Sequence, residues 1–136
     1  ADDGVAGREL YRLDGATGEL TQYDLFAGAG GSNPTDFTVL DDTLYFAADT
    51  DGSGRELFLW KAGDAAPEMI DVTPGDGSTF STGAFAPSPH FSLWNGKVVF
   101  LDTAGEMLML EGNETVAPVL TAGGVPLTDV GEFVVI

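Results

Sequence analysis

Gly54-Arg55-Glu56-Leu57-Phe58 has a near copy in Gly7-Arg8-Glu9-Leu10-Tyr11, offset by 47 residues, and the match extends upstream to Ala1-Asp2 against Ala48-Asp49. A period of roughly 40 to 50 residues marks propellers, solenoids and related arrays, in which one unit is too thin to bury its apolar face without a neighbour. The stretch therefore predicts a repeat architecture. Its surroundings say which kind: Leu44-Tyr45-Phe46-Ala47-Ala48 precedes it and the apolar run continues to Trp60, with the turn-forming Asp49–Gly54 between them. Aromatic and branched residues on either side of a Gly/Asp turn read as paired strands.

Working outward, residues 8–13 and 19–26 read as a hairpin joined by Asp14-Gly15-Ala16-Thr17-Gly18. Asp36–Leu40 is a strand that Asp41-Asp42 turns back, and Glu68–Val72 is another. Phe91–Trp94 and Lys97–Leu101 flank Asn95-Gly96, the strongest hairpin dipeptide in the chain. Glu106–Leu110 takes the place of the central stretch in a worn third unit, whose anchors are expected at Leu127 and Val134, spaced as are Phe37 and Leu44, and Phe91 and Val98. Phe37, Phe46, Phe58, Phe91 and Phe100 are expected in the core.

These strands group into units 1–43, 44–97 and 98–136 of a single all-β domain spanning residues 1–136. Three four-stranded, blade-like repeats of β-propeller type result if Phe133–Ile136 joins the three N-terminal strands, a shared sheet that removes two edges. The alternative is a β-trefoil, which also arranges twelve strands in three units. Three blades fall short of the usual four to eight, so a closed ring calls for more chain or a second copy. A chain beginning at a repeat position and ending on an apolar strand is expected to be an excerpt or a dimer.

Composition narrows the function. Twenty-two acidic against five basic side chains give a formal charge of −17, which repels phosphate backbones and anionic lipid surfaces. Nucleic acid and membrane insertion are thereby disfavoured, and no apolar run approaches the ~18 residues of a spanning helix. The absence of cysteine excludes disulfides and thiolate metal sites. Nineteen glycines and seven prolines lie between short apolar runs, as turns. The long connection Thr73–Ser88 is the place to look for specificity.

The candidate site is Asp49-x-Asp51-Gly52-Ser53-Gly54-x-Glu56. Alternating oxygen donors around a glycine turn suit a hard, flexible cation, so Asp49, Asp51, Ser53 and Glu56 are the expected Ca²⁺ ligands. The twelfth position of an EF-type loop holds Trp60 in place of a bidentate Glu. In the Arg8-Glu9 and Arg55-Glu56 pairs, neighbouring strand residues face opposite sides, and a repeated ion pair between units is expected. His90 is the single histidine, with Ser88 and Ser92 beside it but no nucleophile elbow. Asn113-Glu114-Thr115 forms a glycosylation sequon.

Together, Leu44-Tyr45-Phe46, Asp49, Gly54, Glu56-Leu57-Phe58, Asp71, Pro74-Gly75 and Gly77-Ser78 resemble the bacterial ELWxxDGT-type (hyalin-like) repeat. The first unit fits through Gly7, Glu9-Leu10-Tyr11, Asp14-Gly15, Asp24 and Gly31-Ser32-Asn33-Pro34. Tyr11 and Phe58 stand where the family's tryptophan follows Glu-Leu, and residues 101–136 fit poorly. The resemblance implies propeller blades in large secreted, surface-attached or periplasmic bacterial proteins. The expected function is a non-catalytic extracellular or cell-envelope structural and interaction module, calcium-stabilised, mediating assembly or adhesion with a protein partner or further repeats. A lectin-like carbohydrate-binding domain using Trp60 and Trp94 is the first alternative, and a hydrolase using acidic residues the second.

Overall fold

Turn chemistry cuts the chain into short strands. The computed structural model describes residues 4–5, 7–73, 75, 77–81, 89–111, 115–130, 133 and 135, and all regular structure among them is β. β1 (Leu10–Leu13) and β2 (Leu20–Tyr23) form a two-stranded antiparallel sheet. β3 (Thr35–Leu40), β4 (Thr43–Thr50), β5 (Gly54–Lys61) and β6 (Glu68–Ile70) form a four-stranded antiparallel meander. β7 (Ser92–Trp94), β8 (Lys97–Leu101), β9 (Met107–Leu110) and β10 (Val116–Pro118) form a second meander of the same order.

The two meanders are turned by the same device. Asn95 and Gly96 have φ of 51° and 75° between paired Trp94 and Lys97. Asp41 and Asp42 have φ of 47° and 61° between paired Leu40 and Thr43. Two left-handed residues match the twist of the strands they join, and Asn-Gly meets that demand at less cost than Asp-Asp. The β1–β2 connection is held differently: the Asp14 carboxylate accepts the Ala16 and Thr17 N–H groups at 2.8 and 2.9 Å. Those bonds hold its pKa below the ordinary value.

The middle sheet is covered on both faces, which is why β4 and β5 read as nearly continuous apolar runs. Ala47, Leu57 and Leu59 join Ile70, Phe80, Phe91, Val98, Phe100, Leu108 and Leu110 in the larger core, facing the β7–β10 sheet. Their strand neighbours Phe46, Ala48 and Phe58 pack with Leu10 in a smaller core against the β1–β2 sheet. Phe46 and Phe58 stack with centroids 5.3 Å apart.

Three expectations change. β3 pairs with β4 and β7 with β8, so the sheets span Thr35–Ile70 and Ser92–Pro118 and do not coincide with units 1–43, 44–97 and 98–136. The strongly turned Asp41-Asp42 and Asn95-Gly96 hairpins keep both strands in one sheet, which leaves the N-terminal sheet with two strands among the described residues. Phe37 is 52% exposed, on an edge strand where its ring meets that of Phe46 at 5.4 Å. Leu127 does not take the Phe37 position: its carbonyl accepts the Met107 N–H and its N–H donates to Val119, seating it beside β9. The expected strand Phe133–Ile136, most of Thr73–Ser88 and Asn113 fall largely outside the described residues.

Asp42→Gly is expected to stabilise the protein by about 0.5–1 kcal/mol in chemical denaturation, since the position is left-handed and exposed.

Candidate functional site

The two copies of Gly-Arg-Glu-Leu place a carboxylate at the same point, and both carboxylates are fully buried. Glu9 accepts hydrogen bonds from the Leu25 N–H at 3.1 Å, the Ser32 N–H at 2.9 Å and the Ser32 hydroxyl. Glu56 accepts from the Val72 N–H at 3.1 Å, the Thr79 N–H at 3.1 Å and the Thr79 hydroxyl at 2.6 Å. The partners lie 16 and 23 residues beyond the glutamate in both copies. Each carboxylate thus replaces water for loop backbone that no strand ladder reaches, which is how a buried charge is tolerated.

The hydroxyl residue then passes the link on. Ser32 presents its carbonyl to the Asp49 N–H on β4 at 2.6 Å, and Thr79 presents its own to the Thr103 N–H after β8 at 2.9 Å. One residue therefore ties the glutamate of one sheet to the backbone of the next. Neighbouring bonds repeat too, from Asn33 N–H to the Arg8 carbonyl and from Phe80 N–H to the Arg55 carbonyl. Two glycines allow the close approach: a Cβ on Gly7 would come within 2.8 Å of Gly31 backbone, and one on Gly54 within 3.1 Å of Ser78 backbone.

In the third unit the Val130 N–H donates to the Gly105 carbonyl as its counterparts do, and Glu106 lies opposite Asp102 in the hairpin. The residue before Val130 is Asp129, where the first two units have Ser32 and Thr79. An ionised aspartate has no proton to donate. The third copy therefore lacks the hydroxyl donor of the first two.

Arg55 works on the other side of β5. It is buried, pairs with Asp49 across the strands at 3.0 Å, and donates to the Asn33 carbonyl at 3.1 Å, the Ala47 carbonyl at 3.3 Å and the Thr35 hydroxyl. Opposite faces for Arg and Glu agree with strand alternation. The expected repeated ion pair between units takes another form: the glutamates hold neutral donors, and the Arg55–Asp49 pair lies within one sheet. Arg8, at the matching position, is exposed.

These commitments separate the four residues expected to bind calcium. Asp49 is turned to Arg55 and also accepts the Asn33 amide at 3.1 Å, while Glu56 faces the opposite side with its three donors. Asp51 and Ser53 line a shallow depression of about 490 Å³ with Asp24 and Thr50. No cluster of three or more metal-ligating side chains occurs among the described residues.

Two other concavities involve singled-out residues. Trp60 lines an open cleft of about 550 Å³ with Arg12, Asp42, Leu44 and Asp64. Tyr23 meets its ring edge-on at 4.8 Å, the Arg12 guanidinium lies 5.6 Å from it, and its Nε1 donates to the Asp64 carbonyl. Trp94 lies outside this cleft, on the β7–β8 hairpin. His90 lines a cavity of about 300 Å³ with Asp36, Phe37, Thr38, Phe91, Ser92 and Phe133.

No protein-family profile, curated protein or solved structure matches the chain.

Sequence reasoning missed Ser32 and Thr79. The available signal was a hydroxyl residue at the same distance beyond each glutamate of the repeat. Thr79→Val and Ser32→Ala, each leaving a buried carboxylate short of one donor, are expected to cost about 1–3 kcal/mol in denaturant unfolding. Arg55→Lys, which cannot reproduce the forked contacts, is expected to lower the unfolding midpoint clearly, whereas Arg8→Lys leaves it unchanged.

Burial pushes the Glu56 carboxyl above its ordinary value of 4.5, against the lowering effect of its Thr79 and Val72 hydrogen bonds. A group whose pKa rises on folding favours the folded state below its unfolded pKa, and that contribution is lost as pH climbs through the folded value. The stability of the parent relative to Glu56→Gln is therefore expected to fall as pH rises from 4.5, measured by urea unfolding across the acid range.

Proposed function

We propose that this chain is a non-catalytic structural and interaction module of an extracellular or cell-envelope protein, built of blade-like repeats of β-propeller type. Its partners are further repeats of the same kind. The supporting observation is the cavity that joins Asp36, His90 and Phe133. By the repeated backbone bonds, Asn33, Phe80 and Val130 correspond, and Asp36 and Phe133 each lie three residues further on. His90 corresponds once the seven additional residues 82–88 are set aside, and both Asp36 and His90 are left-handed, at φ of 60° and 53°. Matching positions of successive units meeting at one cavity is the arrangement of repeats around a common axis.

Assembly is favoured over catalysis by how the buried charges are spent. Glu9 and Glu56 are held by backbone and hydroxyl donors and Arg55 by Asp49, backbone carbonyls and Thr35, which commits all three to the fold. The lectin reading gains nothing from Trp60, whose ring is engaged by Tyr23 and Arg12. Calcium has no part in the proposal.

Light scattering over a range of concentrations, together with a panel of glycoside and ester substrates, tests this reading. The expected result is mass that grows with concentration and no turnover. A persistent monomer, or turnover abolished by His90→Ala, contradicts it.

A further inference from the structure

Three consecutive residues of β3, Asp36, Phe37 and Thr38, and three at the entry to β7, His90, Phe91 and Ser92, line one cavity of about 300 Å³. A regular strand sends successive side chains to opposite faces, so a run of three shares a cavity only where the ladder is broken. β3 has that break: Thr35 pairs with Ala47 and Thr38 with Tyr45, a step of three residues along β3 against two along β4. Such a bulge re-aims side chains, and the Thr38 hydroxyl closes it by donating to the Asp36 carbonyl at 3.2 Å. Asp36 and His90 are both left-handed, at φ of 60° and 53°, a conformation that non-glycine residues adopt at a cost and that concentrates at functional sites. The Asp36 carboxylate is also set from behind: buried Arg55 donates to the Thr35 hydroxyl, which donates to Asp36 Oδ2 at 2.6 Å.

We propose that this cavity binds one residue of a neutral sugar, a ligand that goes beyond the repeat-module reading and does not depend on it. The volume is at the small end of the range for ligand pockets, about 300–1,000 Å³, and the lining mixes rings with a few polar groups. A carboxylate has about four lone-pair positions, so Asp36 serves a ligand alongside its protein donors. A neutral imidazole and the hydroxyls of Thr38 and Ser92 both donate and accept, as sugar hydroxyls do. The Phe37 ring, 52% exposed, offers a surface for the apolar C–H face of a pyranose. Anions are disfavoured by Asp36 and by the formal charge of −17. Metal ions are poorly served, since no cluster of three or more metal-ligating side chains occurs among the described residues. Glycoside hydrolysis uses a pair of carboxylates, and Asp36 is the one carboxylate among the described lining residues. The cavity is therefore assigned to binding without turnover.

Titration of the intact chain with the methyl glycosides of glucose, galactose, mannose and N-acetylglucosamine, followed by calorimetry and amide NMR, tests the proposal. The expected result is saturable binding of at least one glycoside with shifts at residues 36–38 and 90–92, weakened about tenfold by Asp36→Asn through the lost charge-assisted bond. Asparagine accepts the left-handed backbone and keeps an acceptor for Thr35, so the fold is retained. Ser92→Ala, away from the Arg55 and Thr35 relay, is expected to weaken the same binding severalfold and decides the matter if Asp36→Asn unfolds. No saturable binding by any of these glycosides, shifts gathered around Trp60 in place of the cavity, or unchanged affinity in folded Asp36→Asn overturns the proposal. Mass that grows with concentration without glycoside binding leaves the repeat-module reading standing and removes the sugar site, whereas a persistent monomer that binds a glycoside does the reverse.

Discussion

A fully buried glutamate that accepts three hydrogen bonds from a loop is the constraint on which the other features depend. Glu9 and Glu56 each gather two N–H groups and a hydroxyl from segments lying outside every strand ladder. A buried carboxylate without such donors would be costly, and buried loop backbone without such an acceptor would be costly as well. Each group makes the other tolerable, which fixes the path of the chain between one sheet and the next. The hydroxyl residue completes the joint by offering its carbonyl to the following sheet.

The asymmetry along the chain follows from where those joints are intact. Two sheets flank the middle one, and β4 and β5 are apolar on both faces because each face meets a neighbour. Arg55 adds a second tie, reaching Asp49, Ala47 and Thr35 on its own sheet and Asn33 in the segment that enters it. Towards the C-terminus Asp129 replaces the hydroxyl donor, and towards the N-terminus the sheet has two strands among the described residues. The acidic composition is compatible with this design, because the two buried glutamates are held by directed donors.

Much of the fold was legible in the residues. The duplicated Gly-Arg-Glu-Leu, the Asn95-Gly96 hairpin and the aromatic strands announced an antiparallel repeat protein, and the four-stranded meanders agree. Sheet boundaries were not legible, since the 47-residue period is the same wherever a unit is said to begin. Leu127 misled because apolar spacing alone carries no hydrogen-bond register. Asp49, Asp51, Ser53 and Glu56 looked like a ligand set because sequence spacing hides which face each side chain takes. Arg55, adjacent to Glu56 and across from Asp49, divides that set in space. Phe37 read as core from its aromatic spacing, yet an edge strand leaves it half open.

Native-state hydrogen exchange at Leu25, Ser32, Val72 and Thr79 measures the central claim most directly, because their amides point at the buried glutamates and belong to no strand. The account expects them to be protected to nearly the degree of the β4–β5 ladder. Exchange at the rate of open turns such as Gly28 and Gly63 would contradict it.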